Sequence, residues 1–135
     1  MTSTIKYLGD LRTECTHLRS GQTFITDAPI DNNGKGEAFS PTDLAATSLG
    51  ACMITIMGIA ARNHEINIDG TTLEITKHMA SDPRRISGVD VIVNLPNREY
   101  SKKDKKILEK AGLTCPVALS LHPDIQQNIV FKWPE

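Results

Sequence analysis

The stretch from Leu44 to Ala61 contains no charged residue, and it limits what this chain can fold into more than any other feature. Its length reaches the lower limit of about 17 residues for a membrane-spanning helix. Small and polar residues dilute it, however, and aromatic or basic anchors do not flank both of its ends. A helix that is apolar on all sides and lies outside a bilayer is buried in protein. We therefore predict a buried helix and no membrane partner.

The start of this helix is strongly specified. Ser40 is placed to act as the N-cap, Pro41 occupies the favoured first helical position, and Asp43 stands at the capping-box position usually held by glutamate. The helix is predicted to continue to about residues 62–64, where charge and polarity return.

Alternating polar and apolar residues predict strands on both sides of the long helix. Turn signals at Gly9-Asp10 and Ser20-Gly21 divide residues 4–27 into a three-stranded antiparallel meander. Later elements are predicted as strands over 66–79 and 88–95, a helix capped by Ser101, a short helix over 116–121 and a strand over 125–133. The order predicts one α+β domain over residues 1–135.

Composition excludes some functions. The chain has 15 Lys and Arg against 16 Asp and Glu, so nothing draws it to nucleic acid. Three cysteines are an odd number, and the N-terminus lacks a basic segment followed by an apolar one. We expect a cytoplasmic protein with reduced thiols.

Two cysteines stand in unusual settings. Cys52 lies about three turns into the uncharged helix, roughly 18 Å from its start, too far for the helix dipole to act on the thiol. A reactive Cys52 therefore needs a cation from elsewhere, and an arginine suits this role because guanidinium stays charged when desolvated. The residues alone do not choose among the six arginines: Arg12, Arg19, Arg62, Arg84, Arg85 and Arg98.

Cys115 precedes Pro116 at the start of a short helix, where a thiolate is favoured locally. Electrostatics alone therefore predict Cys115 to be the more acidic thiol and leave open which cysteine attacks first. Cys15, in the centre of an alternating strand, is interpreted as packing. The histidines are scattered and no Cys-x-x-Cys spacing occurs, so neither a metal site nor a Cys–His hydrolase is indicated.

The segment Ser-Pro-Thr-Asp-Leu-Ala-Ala-Thr-Ser-Leu-Gly-Ala-Cys, together with the later Thr-Cys-Pro-Val-Ala-Leu-Ser-Leu, closely resembles the OsmC/Ohr family of osmotically induced and organic hydroperoxide resistance proteins. Pro-Arg-Arg-Ile at 83–86 is similar to the OsmC-like branch. The resemblance implies an intertwined homodimer, with long central helices covered by six-stranded antiparallel sheets.

The resemblance also implies roles for individual residues. Cys52 becomes the peroxidatic cysteine and Cys115 the resolving one, which reverses the electrostatic order. Arg12 falls at the position of the family's catalytic arginine, with Arg19 in reserve. One departure is that the hydroperoxide branch has a glutamate after the helix-opening proline to hold the arginine, whereas this chain has Thr42 and then Asp43.

The function predicted from this resemblance is a cysteine-based, non-haem peroxidase for organic hydroperoxides in the oxidative stress response. It would use no resident cofactor or metal, and a dithiol or lipoyl-type reductant would regenerate it. An apolar wall including Met53, Ile56 and Met57 would favour alkyl or aryl peroxides. Two alternatives are a non-catalytic small-molecule or lipid binder and a stoichiometric redox sensor.

Overall fold

The computed structural model describes all residues from 1 to 135 and divides them into two units, Met1–Ala45 and Ala46–Glu135. The first unit contains three strands and the start of the long helix. The second contains the rest of that helix, three further strands and two shorter helices.

The first unit is the predicted antiparallel meander. Strands β1 (Ser3–Gly9), β2 (Arg12–His17) and β3 (Thr23–Asp27) pair in the order β1-β2-β3. Gly9, Asp10 and Leu11 make the tight turn between β1 and β2 with positive φ angles, of 88°, 52° and 61°. The turn sets a register in which Arg12 on β2 lies opposite Asp27 on β3.

Helix α1 spans Pro41–Asn63, which confirms the prediction at both ends. Its start is a reciprocal capping box: the Asp43 N–H donates to Ser40 Oγ, and the Ser40 N–H donates to Asp43 Oδ2, each at 3.1 Å.

The second unit pairs β4 (Thr72–Ala80), β5 (Arg85–Asn94) and β6 (Gln126–Lys132) in the order β4-β5-β6. β4 and β5 form an antiparallel hairpin. Helices α2 (Lys102–Leu113) and α3 (Pro116–Ser120) occupy the connection between β5 and β6, and β6 runs parallel to β5. A parallel pair requires such a crossover.

The α+β class is therefore confirmed, with one difference from the expected antiparallel sheets. The chain forms two three-stranded sheets, and the second is mixed because β6 is parallel to its neighbour. Local alternation predicts a strand but not its partner or direction, which explains the difference.

One face of α1 and the inner face of β5 form the core of the second unit. The fully buried side chains include Leu49, Met53 and Met57 from the helix and Val91 and Val93 from the strand. By length and composition alone α1 could cross a membrane, with a mean hydropathy of 1.9 over its most apolar window. Its inward face packs against protein, although only 33% of that window is buried within the chain.

Candidate active site

The thiols of Cys52 and Cys115 are neighbours in the second unit. Cys52 projects from α1 and packs against the core cluster that contains Cys115, and the two thiols are close enough for Cys52 to raise the pKa of Cys115. Both are free cysteines. The fold thus brings together two cysteines that are far apart in sequence.

Cys115 is the N-cap of α3. Its Sγ accepts the backbone N–H of Ala118 at 3.4 Å, and Pro116 follows at the first helical position. The helix terminus therefore acts on this sulfur as predicted, and the N–H groups of Ala118 and Val117 lower its pKa.

The prediction that Cys115 is an acidic thiol is nevertheless wrong. Its side chain is fully buried, and burial, with smaller contributions from the neighbouring Cys52, raises the pKa of Cys115 above its ordinary value. Desolvation outweighs a helix of only five residues. The sequence predicted that the Cys115 sulfur lies at the start of α3, but it did not predict that this sulfur is buried.

The apolar surroundings of Cys52 also differ from the expectation. Met53 and Met57 are fully buried in the core, so they do not line a surface that a substrate can reach. Ile56 and Cys52 itself are only partly buried. Of the three apolar residues named from the sequence, Ile56 is the one available to a substrate beside Cys52.

Arg12 lies in the first unit, where Asp27 holds it in a bidentate ion pair. Arg12 Nε donates to Asp27 Oδ1 at 2.7 Å, and a terminal guanidinium nitrogen donates to Oδ2 at 2.8 Å. Asp27 Oδ2 also accepts the backbone N–H of Glu37 at 3.1 Å, and the Glu37 carboxylate lies 3.8 Å from the same guanidinium. The orientation of the Arg12 guanidinium is thus set by carboxylates of its own unit, through two parallel hydrogen bonds.

The electrostatics of this pair are mutual. The hydrogen bonds from Arg12 hold the pKa of the Asp27 carboxyl below its usual range, although burial opposes the shift. Asp27 in turn raises the pKa of Arg12. The Asp27 side chain is 0% exposed. Its carboxylate can remain ionised there because it accepts hydrogen bonds from Arg12 and from the Glu37 backbone N–H.

Sequence reasoning missed Asp27. The available signal was the register of the meander, because a short turn at Gly9-Asp10 and a second at Ser20-Gly21 place Arg12 and Asp27 opposite each other. Asp43, the acidic residue nearest the position of the glutamate that is absent at Thr42, makes the capping box with Ser40. Arg19, the reserve arginine, is exposed in the turn between β2 and β3.

Two open cavities lie in the second unit. One of about 620 Å³ is lined by the end of α1 and the segment after it, including Ile59, Arg62 and Asp69. The other, of about 810 Å³, lies around Tyr100 and Lys105. Neither lining includes Cys52 or Cys115.

No group of three or more His, Cys, Asp and Glu side chains is arranged to hold a metal ion.

Comparison with solved structures identifies close and distant relatives. A protein from Psychrobacter arcticus, named for an osmotic stress induced and detoxification response, is 57% identical, with a TM-score of 0.94 over 98% of this chain and 96% of that one. An organic hydroperoxide resistance protein OsmC from Legionella pneumophila is 15% identical, with a TM-score of 0.76 over 98% of both chains. OhrB of Bacillus subtilis is 19% identical, with a TM-score of 0.69 over 98% of both.

The two distant structures share the fold with this chain, and the Psychrobacter protein shares much of its sequence as well. No match is found among the curated proteins. The family model of OsmC-like proteins matches residues 34–130 of the sequence, which include α1, both cysteines of the pair and most of β6. This chain is therefore a member of the OsmC-like family.

Proposed function

We propose that this protein is a cysteine-based peroxidase that reduces organic hydroperoxides. The observation that carries the proposal is that two free thiols, those of Cys52 and Cys115, lie together at one core cluster. Two free thiols in contact can receive two electrons' worth of oxidation as a disulfide without a bound metal or cofactor. The names of the Legionella and Bacillus relatives refer to organic hydroperoxides, which fits this substrate class.

The reaction has three balanced steps. The Cys52 thiolate attacks the distal oxygen of the hydroperoxide, the O–O bond breaks, and the leaving alkoxide takes a proton to become the alcohol. The resulting Cys52 sulfenic acid condenses with the Cys115 thiol, which forms the disulfide and releases water. An external dithiol then returns two electrons and two protons to the pair and becomes a disulfide itself.

Burial supports the assignment of Cys52 as the attacking residue. Cys115 is fully buried and its raised pKa keeps it protonated, whereas Cys52 retains access to its surroundings. A protonated, enclosed thiol is a poor nucleophile for an incoming peroxide but is well placed to reach an adjacent sulfenic acid. The role that the family resemblance gives Cys115 therefore has a physical basis in this chain.

Arg12 is proposed as the cation that stabilises the Cys52 thiolate and the developing charge on the peroxide. Its bidentate pairing with Asp27 uses Nε and one terminal nitrogen, so the guanidinium is oriented before substrate arrives. Preorganised donors of this kind stabilise developing charge without reorganisation during the reaction. Asp27 would thus do the work of the family glutamate that this chain lacks at Thr42.

A homodimer is proposed as the working form. Ala51, Thr55 and Ile59 form an exposed, uncharged stripe along α1, and Ile59 is 53% exposed. In the first sheet, the β1 and β3 side chains of Ile5 and Phe24 share one face and are also exposed. A second copy of the chain would remove both apolar surfaces from water.

Dithiol-coupled reduction of cumene hydroperoxide tests the proposal. The wild type and the control Cys15→Ser should turn over repeatedly, because Cys15 lies on β2 outside the pair. Cys52→Ser should show no turnover above the uncatalysed rate. Peptide mapping of peroxide-treated wild type should identify a Cys52–Cys115 disulfide.

The outcomes separate the alternatives. A disulfide that forms once per chain without sustained turnover would indicate a stoichiometric redox sensor. Absence of both turnover and disulfide would refute the peroxidase and leave a binding protein whose ligand affinity survives Cys52→Ser.

A further inference from the structure

Helix α2 presents an unneutralised basic surface, which we name the lysine face: Lys102, Lys103, Lys106 and Lys110. All four side chains are exposed. The helix carries five lysines against two acidic residues, in a chain whose net charge is −1. At 3.6 residues per turn the four lysines fall within an arc of roughly 100°. The buried residues Leu108 and Gly112 lie on the opposite side of the helix.

None of the four lysines is in an ion pair. The ion pairs of the chain involve other residues, and the remaining lysine of α2, Lys105, lies over the ring of Trp133 at 5.7 Å. Of the two acids of α2, Glu109 accepts the Trp133 indole N–H at 2.8 Å, and Asp104 lies in the first turn away from the lysine face. The positive charge is therefore presented to solvent.

This arrangement does not serve the helix itself. Lys102, Lys106 and Lys110 are four residues apart, and like charges at that spacing repel. Lys102 and Lys103 also lie in the first turn, where the helix macrodipole disfavours cations. A stable solvated helix would mix signs along this face. An acidic partner would relieve both kinds of repulsion.

The lysine face leads toward the cysteine pair. Leu113, the last residue of α2, falls in the same arc and is 50% exposed. Only Thr114 lies between it and Cys115 in the sequence. A partner lying along the lysines thus meets an exposed apolar residue at the end nearest the redox pair. Charged contacts set the orientation and speed of such encounters more than their final affinity.

We propose that the lysine face docks an acidic surface on the dithiol-bearing protein that reduces the Cys52–Cys115 disulfide, an inference that rests on the function proposed above. A thiolate of the partner attacks the more accessible sulfur, that of Cys52, and the S–S bond breaks. Cys115 leaves as a thiolate and takes a proton. The second partner thiol then displaces Cys52 from the mixed disulfide, so that two electrons and two protons pass to this protein.

The test uses two synthetic peptides on the full-length protein. One has four glutamates followed by Cys-Gly-Gly-Cys, and the other has glutamines in place of the glutamates. Reduction of peroxide-oxidised wild type should be at least fivefold faster with the acidic peptide at low salt, and the advantage should fall as salt screens it. Lys106→Glu/Lys110→Glu should remove the advantage while reduction by dithiothreitol stays unchanged.

Lys6→Glu/Lys132→Glu is the matched control, since it changes net charge equally at exposed positions on β1 and β6. Equal loss in both double variants, or equal rates with the two peptides, would overturn the proposal. Binding of the acidic peptide to reduced protein, followed by fluorescence anisotropy, is a readout that needs no disulfide. One outcome is that dithiothreitol treatment reveals no disulfide in the peroxide-treated protein, while peptide binding still depends on Lys106 and Lys110. This outcome refutes the peroxidase and supports the lysine face as the site for an acidic partner. Tighter binding of phosphatidylglycerol vesicles or RNA than of the acidic peptide would also overturn it.

Discussion

Arg12 and Asp27 face each other across β2 and β3, and two hydrogen bonds of 2.7 and 2.8 Å join the guanidinium to a carboxylate that is shielded from solvent. The pair is formed by residues of one small meander, so the arginine is oriented by local structure. Its partner carboxylate comes from a strand and not from the start of the long helix.

Asp27→Asn should reduce kcat/KM for cumene hydroperoxide by about tenfold to a hundredfold, because a neutral amide cannot hold both guanidinium nitrogens and misplacement of a catalytic group by an ångström has effects of that size. Glu37→Gln, which alters a more distant and exposed carboxylate, should change kcat/KM by less than about twofold. Steady-state kinetics on the two purified variants provide the comparison. Equal activity of Asp27→Asn and wild type would remove Asp27 from the mechanism.

Asp27 should also govern acid stability. The folded pKa of Asp27 is lowered, so its ionised form stabilises the fold above the unfolded pKa of about 4, and this stabilisation is lost as pH falls through the folded value. The difference in thermal midpoint between wild type and Asp27→Asn should therefore be large at pH 6 and shrink toward pH 2. Asp90, whose pKa His78 and Asn128 lower on an exposed face, should give a smaller effect in Asp90→Asn. A constant difference across this range would contradict the expectation.

Two substitutions of Cys115 should separate its chemistry from its capping. Cys115→Ser keeps an acceptor for the Ala118 N–H, whereas Cys115→Ala removes it. Both should abolish the disulfide and let sulfenic acid accumulate on Cys52. The free energy of unfolding, measured by chemical denaturation, should be lower for the alanine variant than for the serine variant by about 1 kcal/mol, the usual cost of losing an N-cap.

The raised pKa of Cys115 predicts the pH dependence of disulfide formation. Condensation needs the Cys115 thiolate, so its rate should continue to rise above pH of about 8.5, where an ordinary thiol is half ionised. Quenched-flow alkylation after one equivalent of peroxide measures this step apart from the oxidation of Cys52. A rate that levels off below pH 8 would show that burial does not control it.

The exposed stripe on α1 predicts the effect of a charge on assembly. Ile59→Glu should convert the proposed dimer to monomer, since the partner would have to bury an unpaired carboxylate. Val130→Glu is the control, because Val130 on β6 is exposed to a similar extent, 50% against 53%. Analytical ultracentrifugation distinguishes the two states. A monomeric wild type, or a dimeric Ile59→Glu, would exclude this stripe as the interface.

Local signals in the sequence predicted the elements well. Ser40, Pro41 and Asp43 fixed the start of α1, and Ser101 fixed that of α2, because capping depends on residues three positions apart. The meander followed from turn residues for the same reason. Cys52 and Cys115 were singled out by their motifs, and both lie at the core cluster of the second unit.

Relations between distant segments could not be predicted in this way. The parallel pairing of β5 and β6 depends on the path of a crossover, and the burial of Cys115 depends on packing against α1. The Arg12–Asp27 pair required the register of two hairpins together. Each of these features reverses or refines an expectation drawn from one segment alone.

The crossover between β5 and β6 has a consequence for the order of folding. Cys115 lies inside this connection, so both its packing near Cys52 and the pairing of β6 with β5 are long-range contacts, which form more slowly than the local hairpin of β4 and β5. We expect the two thiols to meet among the last events of folding. A newly made chain would then have little chance of sealing the disulfide prematurely, and redox competence would itself report that the sheet is complete.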